Sequence, residues 1–160
     1  MALQVEKNFL DQNHFDKINS VIMGDDFPWY FNDQVTNEDV LNSYYTHTFV
    51  RDSIIKSKWF KILEELVKKL NCKGIVRMKV NSYPHTLKTI KHKYHVDYTN
   101  SHKGCLFYLN SNNGYNYFKE GDKTIRPEKN KAVFFDPSKE HCSSTCTDQQ
   151  RRVTININYL

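Results

Sequence analysis

The residues best suited to chemistry lie in the run Tyr94-His95-Val96-Asp97-Tyr98. In an extended strand, residues two apart project to the same face, so His95 and Asp97 could grip one ion together. A third ligand is available in His141, at the end of Phe134-Phe135-Asp136-Pro137-Ser138-Lys139-Glu140. Two neutral imidazoles and one carboxylate on one face of an octahedron leave the opposite positions open. That arrangement suits non-haem Fe(II), because the open positions can take a bidentate 2-oxo acid and then dioxygen. Taken alone, His-x-Asp fits a satisfied structural histidine as well as a ligand. The other histidines, His14, His47, His85, His92 and His102, read as surface or loop residues without a partner at ligand spacing. Cys142 and Cys146 beside His141 sketch a zinc site, but three ligands in one short loop still need a fourth.

Arg152 opens the final strand, Arg152-Val153-Thr154-Ile155-Asn156-Ile157-Asn158-Tyr159. Its alternation is clean, with Arg152, Thr154, Asn156 and Asn158 on one face and the apolar residues on the other. The polar face could lie in water, or it could line the mouth of a barrel whose other side is covered by helices. A buried guanidinium needs a carboxylate, best met through two parallel hydrogen bonds, and the distal carboxylate of 2-oxoglutarate supplies one. Arg151 has the opposite phase from Thr154, so Arg152 is the expected anchor.

The elements that must hold these residues are predominantly strands. From Gly74 onward, short β-branched or aromatic runs recur at Ile75 to Asn81, Tyr94 to Tyr98, Cys105 to Leu109, Tyr115 to Phe118, Lys131 to Phe135 and Arg152 to Tyr159. Turn residues separate them, notably Ser111-Asn112-Asn113-Gly114 and Glu120-Gly121-Asp122. No helix alternates with strand in this half, so an antiparallel sandwich or jelly roll is expected, with helices packed on one side. Before it, Leu3 to Phe9 reads as a short strand. A helix capped by Asp11 or Asn13 carries Phe15, Ile18 and Ile22 at helical spacing and stops at Gly24. Asp25 to Asn37 reads as a loop folded onto the core through Phe27-Pro28-Trp29-Tyr30-Phe31. A second helix follows Ser57 and ends at Asn71, with Trp59, Phe60, Leu63, Leu66, Val67 and Leu70 as its apolar stripe.

Length and composition agree with one domain over residues 1–160, divided into a helical support region (1–73) and a jelly-roll core (74–160). Hydrophobic residues make up 39% and aromatics 14%, which excludes a disordered chain. The net charge of +5 is mild and its lysines are dispersed, which fits a solvated surface better than a nucleic-acid patch. No stretch approaches membrane-spanning length, no leader is evident and the cysteines form no disulfide framework. A reducing cytoplasm is therefore the expected compartment.

With His95-Val96-Asp97, His141 and Arg152 assembled, residues 75 to 160 resemble the 2-oxoglutarate/Fe(II) oxygenase superfamily, within it the prolyl-4-hydroxylase-like branch. Phe107-Tyr108-Leu109-Asn110 is similar to the Tyr-Leu-Asn of hypoxia-sensing prolyl hydroxylases, which implies that the Tyr108 hydroxyl bonds the 2-oxoglutarate carboxylate. Thr154 similarly matches a strand position next to the co-substrate. The whole chain also looks like small oxygenases common in bacteriophage genomes, for which the compartment would be the host cytoplasm. The resemblance implies a double-stranded β-helix, a distorted, cupin-like jelly roll, with Fe(II), 2-oxoglutarate and O2 as cofactor and co-substrates. Asp at position 97, rather than Ala or Gly, implies hydroxylation or demethylation instead of halogenation. The basic segment Pro84 to Lys93 is a candidate lid, and Asn81, Tyr83, Tyr98 and Asn156 are candidates for the substrate side.

The expected activity is hydroxylation of a protein or peptide side chain, with release of succinate and CO2. Three rivals share features with it. A nucleic-acid-modifying oxygenase keeps the chemistry and draws on the basic residues Lys88 to Lys93. A cupin-like binding module keeps the fold without catalysis. A zinc hydrolase could use the same three ligands but leaves Arg152 without a purpose.

Overall fold

In the computed structural model, which describes residues 2–36, 39, 42–100 and 102–160, the strands of the C-terminal half and several from the N-terminal third share one antiparallel framework. In chain order the elements are β1 (Gln4–Glu6), α1 (Gln12–Met23), β2 (Tyr30–Asn32), β3 (Tyr44–Arg51), β4 (Ile54–Ile55), a 3₁₀ segment (Lys58–Leu63), α2 (Glu64–Leu70), β5 (Ile75–Pro84), β6 (Lys103–Tyr108), β7 (Asn116–Phe118), β8 (Lys123–Ile125), β9 (Lys131–Phe135), β10 (His141–Ser143) and β11 (Arg151–Tyr159). The larger sheet runs β1-β9-β6-β11-β5-β3-β2, with β4 on β3, and the smaller runs β10-β7-β8. This is the two-sheet antiparallel jelly roll expected from the sequence.

β11 sits at the centre of the larger sheet and explains the layering. Val153, Ile155 and Ile157 are fully buried against Phe15, Ile18 and Ile22 of α1 and Leu63 and Leu66 of the second helical segment. Its polar residues Arg152, Thr154, Asn156 and Asn158 are buried as well, facing the smaller sheet. The strand is thus enclosed on both faces, the polar one lining the interior between the sheets.

Local chemistry accounts for the helices. The Asp11 side chain accepts from the His14 amide at 3.1 Å, and Gly24 ends α1 by donating its N–H to the Val21 carbonyl. Ser57 accepts from the Trp59 amide at 3.1 Å, but the chain first winds as the 3₁₀ segment and becomes α-helical only at Glu64. Tighter winding, with three residues per turn, brings Trp59 and Ile62 onto one line against the core. Asn71 ends α2 in the left-handed region at φ 47°.

Several elements differ from expectation. The strand at Leu3 to Phe9 shrinks to β1, and the loop beginning at Asp25 contains β2; its expected end, Asn37, lies outside the described residues. Besides β1, the first 73 residues supply the strands β2, β3 and β4. β3, which is not among the expected strands, pairs with β5 and buries Tyr44 and Thr46. Tyr94 to Tyr98 is not a regular strand: His95 alone makes a two-bond bridge with His141, because β10 offers only three residues to pair with. The segment Pro84 to Lys93 is hydrogen-bonded along its length to residues 143–150, through His85, Thr86, Ile90 and His92, rather than standing free as a lid. His47 and His92 are buried, not superficial; their ring nitrogens meet Pro28 O and Ser57 Oγ in the first case and Ser143 Oγ in the second. No helix among the described residues is long and apolar enough to cross a membrane.

Candidate metal centre and co-substrate pocket

His95, Asp97 and His141 converge at the rim between the two sheets, with one ligand atom from each lying within 4.8 Å of the others. Among the described residues this is the one cluster of such groups that could hold a metal ion. The backbone sets it up. His95 and His141 exchange both N–H···O bonds at 3.0 Å, and the Asp97 N–H bonds the Pro137 carbonyl at 2.9 Å. The two histidine rings therefore face each other, with centroids 4.5 Å apart, and Asp97 turns to the same side. His141 Nδ1 lies 2.9 Å from the Lys139 carbonyl, which assigns the proton to Nδ1 and leaves Nε2 with its lone pair free for an ion. Phe118 stacks on the His141 ring and Phe135 meets it edge-on.

Asp97 is held by side chains of β5 and β11. Arg77 on β5 contacts its Oδ1 at 2.9 Å, while the amides of Asn156 and Asn158 each donate to Oδ2 at 3.3 Å. Burial opposes ionisation of this carboxyl, but the charges of Arg77 and the two histidines outweigh it and bring its pKa down to about 2. Burial, with His141 adding to it, lowers His95 to about 4. Near neutral pH the pair is thus carboxylate and neutral imidazole, the states in which both bind a metal.

Below this rim the inner faces of β5 and β11 pair as a ladder of polar residues: Tyr83 opposite Arg152, Asn81 opposite Thr154, Lys79 opposite Asn156, Arg77 opposite Asn158. Arg152 is 1% exposed, yet it has no carboxylate partner among the described residues. Its Nη2 and the Tyr108 hydroxyl both donate to Asn116 Oδ1, the latter at 2.9 Å. Arg152 Nη1 reaches the Ser144 carbonyl only at 3.4 Å, and its Nε, like Thr154 Oγ1, is buried without a partner. A buried cation met only by neutral groups, the Asn116 and Ser144 oxygens and the rings of Tyr83 and Tyr108, beside an orphaned hydroxyl, is short of an anion. The donor set therefore fits the distal carboxylate of a 2-oxo acid, and the two-His, one-Asp set fits the metal that would chelate its other end.

The remaining candidates are distributed unevenly. Asn81 and Tyr83 line this pocket together with Tyr44, whose ring stacks on Tyr83 at 5.4 Å. Asn156 also lines it, but its amide is engaged with Asp97. Tyr98 packs against the Arg77 guanidinium and His102, outside the pocket lining. Cys142 is buried and Cys146 Sγ contacts the Gln149 carbonyl, so neither joins His141 at the metal cluster. Arg77 and Lys79 could have been found from the sequence, since they share the strand phase of Asn81 and Tyr83. Asn116 carries no such signal.

No family model matches the sequence, and no curated relative matches it. Solved structures do. A prolyl hydroxylase of Trichoplax adhaerens, in complex with a peptide of the hypoxia inducible factor oxygen degradation domain, superposes with a TM-score of 0.72 over 99% of this chain and 83% of its own, at 13% identity. The fold is that of the prolyl-4-hydroxylase-like 2-oxoglutarate/Fe(II) oxygenases, the double-stranded β-helix. A viral collagen prolyl hydroxylase of Paramecium Bursaria Chlorella virus-1, solved with 2-oxoglutarate, gives 0.64 over 99% of this chain and 95% of its own at 13% identity. A Pseudomonas putida prolyl-4-hydroxylase gives 0.62 over 98% and 91% at 10% identity.

Proposed function

We propose that the chain is an Fe(II)- and 2-oxoglutarate-dependent dioxygenase that hydroxylates a protein or peptide side chain in the cytoplasm. The observation that carries this reading is the pairing of two features in one cavity: the convergence of His95, Asp97 and His141, and the buried, carboxylate-free Arg152 beside Tyr108 and Thr154. The shared fold with oxygenases supports it, and a peptide target is favoured by the peptide held in the Trichoplax neighbour.

His95, Asp97 and His141 would hold the metal. Arg152 and Tyr108 would bind the far carboxylate of 2-oxoglutarate, taking over the bonds now made to Asn116 Oδ1, with the Thr154 hydroxyl beside them. Bound iron and 2-oxoglutarate supply the oxidative chemistry, in which dioxygen is consumed, succinate and CO2 are released and one oxygen atom enters a C–H bond. The protein fixes Asp97 through Arg77, Asn156 and Asn158, packs Phe118 and Phe135 against the His141 ring, and lines the pocket with the Tyr44–Tyr83 stack.

Anaerobic addition of Fe(II) and 2-oxoglutarate tests the reading through the visible charge-transfer band of the chelate. The band is expected in the wild type, lost in His95→Ala, and formed in Arg152→Ala only at far higher 2-oxoglutarate. Two charge-assisted hydrogen bonds at roughly 1.5–3 kcal/mol each set that loss at about a hundredfold or more. Absence of a band in the wild type overturns the iron assignment; undiminished affinity in Arg152→Ala moves the anchor elsewhere.

A further inference from the structure

Lys79 is a charged residue of the pocket for which neither metal nor co-substrate has a use. It stands on β5 directly opposite Asn156, the residue that bonds Asp97, so its side chain enters the cavity on the metal's rung of the ladder. Arg152 is four residues away along β11, roughly 13 Å at the usual strand rise, and marks the opposite end of the cavity. The two cations therefore stand at opposite ends of the cavity, Lys79 beside the metal ligands and Arg152 remote from them.

The opposite charge near Lys79 is that of Asp97, which stands out of ion-pair contact with it. Its ammonium donates to the Tyr44 hydroxyl at 3.2 Å and lies 5.5 Å from the centre of that ring. No carboxylate forms an ion pair with it among the described residues, and the nearest candidate, Asp97, is already met by Arg77 at 2.9 Å. Arg77 and Arg51 add like charge nearby. A partly buried ammonium with one phenol as its partner is poorly compensated, and a carboxylate brought to the metal rung would complete it.

We propose that Lys79 binds a carboxylate of the molecule to be oxidised, so that the primary substrate presents an acidic group next to the position attacked. An acidic residue of a peptide fits better than a nucleic-acid phosphate, because Lys79 lies within the enclosed cleft and not on an open charged surface. The proposal rests on the oxygenase reading. The same ammonium could instead meet the metal-chelating carboxylate of 2-oxoglutarate, and the test separates these sources.

Protein loaded with Zn(II), which is redox-inert, and saturated with 2-oxoglutarate is titrated calorimetrically with N-acetyl-glutamate α-amide and with N-acetyl-glutamine α-amide, which differ only in the side-chain carboxylate, for the wild type and Lys79→Met. The acid is expected to bind at least tenfold more tightly than the amide in the wild type. In Lys79→Met that ratio should fall to about one, with the affinity for 2-oxoglutarate unchanged within twofold. Equal binding of acid and amide in the wild type, or an undiminished ratio in Lys79→Met, overturns the proposal. A tenfold loss of 2-oxoglutarate affinity in Lys79→Met overturns it differently, by placing the ammonium on the co-substrate. Failure of the oxygenase reading is separately visible as a missing Fe(II)–2-oxoglutarate band in the wild type.

Discussion

At the scale of single residues, the pocket depends on a side chain with no atoms to offer. Gly114 lies where a Cβ would meet Arg152 Cδ at 2.9 Å, the Thr145 carbonyl at 2.8 Å and Asn112 Oδ1 at 2.9 Å. The carbonyl belongs to the backbone and yields little, so a methyl group there displaces the guanidinium stem. Gly114→Ala is expected to weaken 2-oxoglutarate binding about tenfold, or about 1.4 kcal/mol, while leaving metal binding intact. The charge-transfer band reads both quantities; an unchanged 2-oxoglutarate affinity would show that Arg152 does not depend on this gap. Asn116 works on the same cation from another side. Its single carbonyl oxygen gathers the donors of Arg152 and Tyr108 and keeps both aimed at one point.

Among elements, β11 carries the most. One face packs the hydrophobic core and the other supplies Arg152, Thr154, Asn156 and Asn158 to the cavity, so a packing fault on one side is felt as misplacement on the other. Ile155 is fully buried between β5 and β6 and beneath the helices. Its truncation to Ala is expected to cost about 2–5 kcal/mol in denaturant unfolding, through lost burial plus the cavity left behind. A loss below about 1 kcal/mol would mean that the helical layer closes over the gap. β3 and β5 show where alternation was readable and where it was overlooked. Tyr44, Thr46 and Thr48 alternate with Tyr45, His47 and Phe49 as plainly as the residues of β11, yet threonines and tyrosines resemble a solvent face until Tyr44 is seen to stack on Tyr83 and Thr46 to bond Asn32. The reverse holds for Tyr94 to Tyr98, whose strand-like composition produces only one bridge because the partner segment is short.

For the whole molecule, enclosing polar groups between two sheets makes stability depend on pH. His92 is 2% exposed, and burial holds its imidazole near a pKa of about 4, against an ordinary 6.5, with Asp39 partly opposing the shift. Between those values the unfolded chain binds a proton that the folded one does not, so the fold loses stability as pH falls from 6.5 towards 4. The full shift corresponds to at most about 3 kcal/mol. His95 contributes a slope of the same sign, so the comparison needed is between metal-free wild type and His92→Gln. Urea unfolding at pH 7 and pH 4.5 should show a smaller acid loss in the variant; equal losses would show that His92 is protonated without penalty in the fold.

The chemistry of the centre was legible from residue order. Strand phase alone separates Arg152 from Arg151, whereas His95 and Asp97, which residue order suggests as one strand face, are brought together by the bridge to His141 and the Asp97–Pro137 bond. Phase also carries the polar ladder of β5, including Arg77 and Lys79, once Asn81 and Tyr83 are assigned to the interior. Tertiary structure decided what residue order leaves open. That His141 and His95 exchange two backbone bonds, that Asn116 collects Arg152 and Tyr108, and that Arg77 rather than a solvent ion faces Asp97 all follow from which strands meet across the cavity. Such pairings are long-range contacts set by packing of the entire double sheet, and no local periodicity encodes them. The same packing buried His47 and His92, which in sequence look like any other polar residue of a loop.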